Sequence, residues 1–178
     1  MNANGIPDDP TTAQLGEPMH NTQMQGFIPT NPIPPNEGKV ISNEFWPVIE
    51  LDAFRSTMRT DGTITTDRLR HAVIDAVASV NGDLALWSQR QIAAGYLSLA
   101  LVPAETINNE SILVHRYRRA VYAMARGNLY ERYLDSSATG DAVKDTEARD
   151  TTAADMYRDA RFAIRDILGT GHLTVELI

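Results

Sequence analysis

The stretch Asp61–Gly95, DGTITTDRLRHAVIDAVASVNGDLALWSQRQIAAG, predicts a long α-helix around which the rest of the chain is organised. Thr65 or Thr66 can cap its start, and Gly95 is a natural stop. Between them the apolar residues recur every three or four positions, as on one face of a helix: Leu69, Val73, Ala76, Val77, Val80, Leu84 and Trp87. Such a helix spans roughly 43 Å, which makes it the axis of the predicted fold.

The first turns of this helix carry Arg68, Arg70 and His71, which lie unfavourably near the positive end of the helix dipole. Two explanations are open. The basic side chains pair with Asp61 or Asp67 inside the chain, or they face acidic groups on a neighbouring subunit.

The same apolar spacing predicts further helices on both sides of this stretch. A short helix covers Leu51–Arg59, and a second long helix runs from about Glu110 to Leu134, with capping residues in Asn108–Ser111. A third helix runs from Thr152 to Leu168, with weaker helical character back to about Asp141. Each of these helices has one apolar stripe, which favours packing against the central helix.

Two features between the helices complete the expected domain. Tyr96–Pro103 is apolar, short and ended by proline, which indicates a buried connector and not a strand. Gly127 interrupts a helical pattern at a cost of about 1 kcal/mol relative to alanine, and the close approach of another backbone would explain it. The predicted fold class is all-α: a small helical bundle with long central helices, an extended N-terminal arm and a short β-like C-terminal tail.

The two ends of the chain differ from the middle. Residues 1–38 hold seven of the nine prolines and no lysine or arginine, which predicts an extended or disordered arm. This arm is either a flexible leader or a segment that becomes ordered against a neighbour through its apolar residues: Met19, Met24, Phe27, Ile28 and Ile33. Residues 173–178 alternate around β-branched types and predict a single strand, which either packs as a tail or adds to another sheet. The predicted domains are therefore an arm (1–38), a helical adaptor domain (39–172) and a C-terminal contact tail (173–178).

Composition excludes several classes of function. The net charge of −7 argues against a protein that grips nucleic acid through its phosphates. The absence of cysteine excludes disulfides and zinc-thiolate sites. No apolar run approaches the length of a membrane span, and the first 30 residues lack a signal pattern, so we expect a soluble protein made and used inside a cell or a particle assembled there.

No catalytic pattern is present. The four histidines, His20, His71, His115 and His172, are too scattered for a metal site, and no phosphate loop or nucleophile motif occurs. We therefore expect no enzyme activity and no cofactor. The cluster Arg116, Arg118 and Arg119 is more typical of inter-subunit ion pairs than of a nucleic-acid patch.

Many short segments, in the same order along residues 45–178, resemble the head-completion (head-stabilisation) proteins of P2-like tailed bacteriophages. None of the segments is a catalytic or ligand-binding motif, and the resemblance depends on their number and order. They are FWP (45–47), LDAFR (51–55), MRTDGT (58–63), RLRHA (68–72), GYLSL (95–99), VHRYRRAVY (114–122), ATGD (138–141), DAR (159–161), AIRDILG (163–169) and TVELI (174–178).

The resemblance implies a structural virion protein at the neck of the particle, in the host cytoplasm during assembly. It implies a ring, twelve-fold to match the portal, that attaches beneath the portal after DNA packaging, stabilises the filled head and provides the surface on which the tail docks. The implied partners are other copies of the chain, the portal protein, a tail terminator or other neck protein, and packaged DNA that passes the lumen without sequence-specific binding. No membrane is involved. The alternative is a nucleic-acid-binding helical protein.

Partner contacts are expected at exposed charges, at the aromatic pair before the first helix and in the tail. For the aromatic pair, plugging the end of the bundle is the competing interpretation. The candidate contact residues are Phe45, Trp46, Arg68, Arg70, Arg116, Arg119, Thr174, Val175, Leu177 and Ile178.

Overall fold

A computed structural model describes residues 36–60, 62–133 and 142–171. The elements in these ranges alternate short strands with helices. In chain order they are β1 (Lys39–Val40), β2 (Ile49–Glu50), α1 (Leu51–Thr57), α2 (Thr66–Asp83), α3 (Ala85–Ala93), a 3-10 helix (Leu99–Leu101), β3 (Thr106–Ile107), β4 (Glu110–Ser111), α4 (Ile112–Tyr133) and α5 (Ala142–Leu168). None of the described helices combines the length and the apolar character that crossing a membrane requires.

The expected all-α fold class is wrong, although helices dominate the described residues. β1 pairs with β2 and β3 pairs with β4, each as a two-stranded antiparallel sheet. Strands of two residues are too short to show the alternating pattern by which a strand is recognised in a sequence. The β-like C-terminal tail, also part of the expected class, covers residues 173–178, which lie outside the described residues.

The β3–β4 hairpin also corrects the expected start of the second long helix. Asn108 and Asn109 both have positive φ angles, 51° and 62°, as in the two-residue type I′ turns that favour asparagine. These residues therefore turn a hairpin and do not cap a helix. Ser111 does cap α4, since its Oγ accepts a hydrogen bond from the backbone N–H of Leu113 at 3.3 Å.

The predicted continuous helix Asp61–Gly95 is two helices. α2 and α3 are separated at Leu84, whose φ and ψ are −95° and 2°. The two preceding residues, Gly82 and Asp83, are weak helix formers, which accounts for a break at this position. The predicted cap and stop are confirmed: Thr65 Oγ1 accepts from the N–H of Arg68 at 3.4 Å, and Gly95 has a φ of 95° after α3.

The helix that organises the packing is α4 and not α2. α2 and α5 both pack on α4, and each makes far more contacts with α4 than with the other. The predicted apolar stripe of α2 is buried, as expected. The central position of α4 follows from buried residues on several of its faces: Leu113, Val114, Tyr117, Ala120, Val121, Ala123, Ala125 and Leu129.

A close approach does occur at Gly127, but a side chain makes it. A Cβ at this position would lie 2.7 Å from Cε1 of Tyr157 on α5, so the ring of Tyr157 lies directly against the backbone of α4. The Tyr157 hydroxyl lies 3.1 Å from Asn128 Oδ1 and 2.8 Å from Glu131 Oε2, which fixes the ring in this position. The expected backbone contact is therefore wrong, and a tyrosine ring explains the glycine.

The remaining segments agree in part with expectation. α1 occupies the predicted short helix, and α5 begins at Ala142, where weaker helical character was expected. In the connector after Gly95, Leu99 and Val102 are buried but Leu97 and Leu101 are exposed. The connector is therefore only half buried.

Candidate interaction surfaces

The aromatic pair before β2 lies in the core. Phe45 and Trp46 are 4% and 6% exposed, and their rings meet edge to face at 4.9 Å. Trp46 stacks on Tyr117 of α4 at 4.8 Å, and the Tyr117 hydroxyl donates a hydrogen bond to Asn81 Oδ1 at 2.7 Å. Burial of this hydroxyl raises the pKa of Tyr117. The pair plugs the bundle, and its contact with a partner stays a prediction that this location does not favour.

Two of the α4 arginines hold α4 to α5. Arg116 Nη1 donates to the backbone carbonyl oxygen of Asp166 at 3.1 Å. Arg119 Nε donates to Asp159 Oδ2 at 3.1 Å, and its Nη2 donates to Asp159 Oδ1. This hydrogen bonding to Asp159 raises the pKa of Arg119. Both arginines therefore donate hydrogen bonds within the chain, and Arg119 also pairs with a carboxylate.

Arg118 is engaged at the other end of the same cluster. Its Nη1 donates to Glu110 Oε2 at 2.6 Å, and His115 Nε2 lies 3.4 Å from that oxygen. Arg118 and His115 border an open groove of about 490 Å³, which residues of β2, α1, α4 and α5 line. Arg119 and Asp159, which pair with each other, also line this groove, so its polar lining includes an arginine–carboxylate ion pair.

Arg70, one of the basic residues at the start of α2, contacts other residues of the chain. Arg70 Nη2 donates to the backbone carbonyl oxygen of Glu37 at 2.8 Å, and its Nη1 lies 3.7 Å from Asp67 Oδ1. Of the two explanations that the sequence left open, pairing within the chain is confirmed for Arg70. Arg68 has an exposed side chain.

A buried ion pair fixes the first described residues to the domain. Glu37 is 1% exposed and Arg55 is 6% exposed. Arg55 Nε donates to Glu37 Oε2 at 2.7 Å, its Nη2 donates to Oε1 at 2.5 Å, and Thr66 Oγ1 donates to Oε1 at 2.8 Å. The hydrogen bonds from Arg55 hold the pKa of Glu37 below its usual value, despite its burial.

Sequence reasoning missed this pair because it assigned Glu37 to the N-terminal arm. One signal was available: Arg55 follows Leu51 by four residues, which places it on the buried face of α1. A buried arginine requires an acidic partner, but nothing in the sequence indicates which one.

Large exposed apolar side chains concentrate in the part of the chain that runs from α3 to β3. We call this the apolar end and define it by five residues that are 45% to 75% exposed: Leu86, Ile92, Leu97, Leu101 and Ile107. Residues 84–104 contain one charged residue, Arg90, in a chain of which 22% is charged. A concentration of exposed apolar side chains favours an interaction site in a soluble protein. The low charge of this stretch was visible in the sequence, but its exposure was not.

A second open groove, of about 450 Å³, lies between β1 and α2 and is called the β1–α2 groove below. Ile41 and Ile74, which line it, are 63% and 47% exposed. In the described ranges no three histidine, aspartate or glutamate side chains are grouped so that they could hold a metal ion. The predicted contacts Thr174, Val175, Leu177 and Ile178 lie outside the described residues and stay predictions.

Comparison with known proteins identifies the family. The family model "phage head completion protein (GPL)" matches residues 40–178. The head completion/stabilization protein of Escherichia phage P2 is 41% identical over 150 residues, which cover 83% of this chain and 88% of that protein. The probable head completion/stabilization protein of Haemophilus phage HP1 (strain HP1c1) is 22% identical over 139 residues, covering 78% of this chain and 91% of that protein.

No solved structure matches the chain significantly. The resemblance seen in the short sequence segments is confirmed by the family match and by the two relatives. The surfaces described above consist of ion pairs and exposed apolar side chains, which agrees with a structural role in the virion. This chain belongs to the phage head completion proteins and is a structural protein of the phage head.

Proposed function

We propose that this chain is one subunit of a ring that attaches beneath the portal after DNA packaging, stabilises the filled head and presents a surface to which the tail or another neck protein docks. Twelve copies would match the symmetry of the portal. The ring assembles in the host cytoplasm and stays in the neck of the virion. The family match and the names of the relatives support this role, and the ring itself is the step that goes beyond them.

The observation that carries the proposal is the apolar end. Leu97 and Leu101 are 75% and 61% exposed, although Leu99 between them is buried. A protein that stays monomeric gains nothing from holding two leucines in water on either side of a buried one. Contact with another subunit or with the portal would remove this apolar surface from water.

The net charge supports a channel wall through which DNA slides without binding. Repulsion between phosphates and a subunit of charge −7 disfavours adhesion of DNA to the wall. The same charge makes direct contact between subunits costly except where few charged residues are present. Residues 84–104, with Arg90 as their one charged residue, meet this condition.

The alternative, a nucleic-acid-binding helical protein, receives less support. Arg116, Arg118 and Arg119 would form its basic patch, but each donates to an oxygen of the chain's own acidic residues. A binding site for phosphates needs arginines that are available for counterion release.

A Leu97→Asp variant tests the role of the apolar end. Val48→Asp is the control, since it adds a carboxylate at a partly exposed apolar position outside the apolar end. A carboxylate forced into an apolar contact is strongly unfavourable. We expect Leu97→Asp to keep its helical circular dichroism and melting temperature but to fail to complement a phage that lacks this protein, so that heads lose DNA or remain tailless. Val48→Asp should complement.

Electron microscopy of the complemented heads supplies the second measurement, the symmetry of the density beneath the portal. A ring of the proposed symmetry that disappears in Leu97→Asp heads supports the proposal. Normal tailed particles carrying the Leu97→Asp protein would overturn the role of the apolar end. Wild-type heads without ring density would overturn the ring.

A further inference from the structure

The β1–α2 groove has the shape of a site for an added strand. One side of it consists of four consecutive residues, Lys39 to Ser42. Side chains alternate between the two faces of a strand, so a surface lined by four residues in a row follows the backbone edge and not one face. In the described part of the chain β1 pairs with β2 alone, so the edge away from β2 has no strand beside it.

The opposite side of the groove is a flank of α2. It is formed by residues three or four positions apart, which lie in a row along a helix: Arg70, Ile74, Val77, Ala78 and Asn81. The row covers eleven residue steps and is therefore roughly 16 Å long. Its centre is apolar and uncovered, since Ile74 is 47% exposed.

Two hydrogen bonds hold the strand and the helix at a fixed separation. At one end Arg70 Nη2 donates to the carbonyl oxygen of Glu37 at 2.8 Å, and at the other Asn81 Nδ2 donates to Ser42 Oγ at 2.9 Å. The groove is therefore formed before anything binds, which lowers the entropy cost of binding. A strand edge that faces an apolar helix flank is the arrangement into which extended peptides insert by β-augmentation.

We infer that this groove binds residues 173–178 of a second copy of the chain as an added β-strand. The inference rests on the proposed ring and names the contact that links its subunits. In an extended segment Leu173, Val175 and Leu177 fall on one face and provide the apolar contact for Ile74. Six extended residues span about 20 Å, which matches the groove of roughly 16 Å.

Charge agrees with this occupant. Glu176 is the one charged residue of the segment, and Lys39 and Arg70 line the groove. The Glu176 carboxylate is attracted to these two basic side chains in every strand register that brings it near them. A basic or uncharged peptide would lack this attraction.

The segment comes from a neighbouring copy, because α5 of the same chain ends on the side of α2 that faces away from the groove. Asp83 near the end of α2 shares a surface pocket with Arg161 and Arg165 of α5. Asp83 lies nine residues after Ile74, and at about 3.6 residues per turn this places the two on opposite sides of the helix. A tail from the same chain would therefore have to pass around α2 to reach the groove, whereas the tail of a neighbouring copy can enter from the open side of the groove.

Cross-linking tests the contact directly, because the chain contains no cysteine. Heads are assembled with a 1:1 mixture of Ile41→Cys and Val175→Cys proteins and treated with a short bis-maleimide, which tolerates small differences in register. We expect a cross-linked dimer in which mass spectrometry joins position 41 of one copy to position 175 of the other. Val48→Cys replaces Ile41→Cys as the control, since Val48 is 36% exposed and outside both the groove and the apolar end, and it should give no such product.

The double variant Ile41→Cys/Val175→Cys decides between the two donors. A ladder of multiples of the subunit mass supports insertion into a neighbour. A product of monomer mass with an internal cross-link overturns the inference, and so does the absence of any product when the protein is present in the heads. In the last two cases the ring can still be seen beneath the portal, so failure of the groove is distinguishable from failure of the proposed function.

An Ile74→Asp substitution gives a measurement that does not depend on cysteine placement. A carboxylate in the apolar centre of the groove should lower the yield of the 41–175 cross-link about tenfold or more. Val48→Asp, also at an exposed apolar position, should leave the yield unchanged. Equal yields in the two variants would overturn the inference.

Discussion

Two apolar regions lie side by side in this protein and have opposite surroundings. The backbone N–H of Leu99 donates to the carbonyl oxygen of Phe45 at 2.8 Å, so the connector and the aromatic pair touch. Phe45 and Trp46 are inside the core, whereas Leu97 and Leu101, two residues to either side of Leu99, are 75% and 61% exposed. Apolar residues at this junction therefore divide into those that stabilise the fold and those that remain available for a partner.

The charged residues show the same division. Glu37 and Arg55 form a buried pair that ties the first described residues to α1, while Arg119 and Asp159 form a pair that is 49% and 36% exposed between α4 and α5. Removing one partner of a buried pair leaves an unpaired charge in the interior, whereas a surface pair contributes at most about 1 kcal/mol. Burial and not residue type decides what each side chain does for stability.

The largest expected effect is that of Trp46→Ala. Removing a buried aromatic ring stacked on Tyr117 should lower the free energy of unfolding by about 3–5 kcal/mol. Leu97→Ala, in the connector that contacts Phe45, should change the free energy of unfolding by less than about 0.5 kcal/mol because the Leu97 side chain is exposed. Urea denaturation followed by circular dichroism measures both. Similar losses of stability in the two variants would contradict the division between residues that stabilise the fold and residues that remain available for a partner.

The next effect concerns the buried charges. Arg55→Met leaves Glu37 unpaired and should lower the free energy of unfolding by about 3 kcal/mol or more. Adding Glu37→Gln to this variant should recover part of the loss, because the buried charge is then removed. Arg119→Ala is the exposed counterpart and should cost no more than about 1 kcal/mol. A double variant as unstable as Arg55→Met alone would show that the pair acts through its packing and not its charge.

Periodicity predicted the helices well because burying one face of a helix requires an apolar residue every three or four positions. It placed the stripe of α2, the cap at Thr65 and the stop at Gly95 correctly. It could not see the break at Leu84, since the stripe continues through that residue. It also could not find the two-residue strands. The one local signal, for β3 and β4, was the pair Asn108–Asn109, and this pair fits a turn as well as a helix cap.

The interaction surfaces were harder to predict for a different physical reason. The sequence shows which residues are apolar or charged, but not which of two apolar neighbours faces outward. Leu97 and Leu99 look alike in the sequence, and only their packing separates them. Likewise, the α4 arginines looked available for a partner until their carboxylate and carbonyl acceptors on β4 and α5 were known, and the acceptors of Arg116 and Arg119 lie 40 or more residues away along the chain.

The smallest expected effect is the pH dependence that the buried Glu37 gives to the stability of the fold. Hydrogen bonds from Arg55 hold the pKa of Glu37 in the folded protein below the value of about 4.3 that a glutamate has when unfolded. A group with a lowered folded pKa stabilises the fold above its unfolded pKa and loses that contribution as pH falls through the folded value. The urea midpoint should therefore fall on acidification below about pH 4.5, and it should fall less in Glu37→Gln, which has no proton to bind at this position. Identical acid profiles for the two proteins would mean that the buried pair does not set acid stability, and that the exposed carboxylates do.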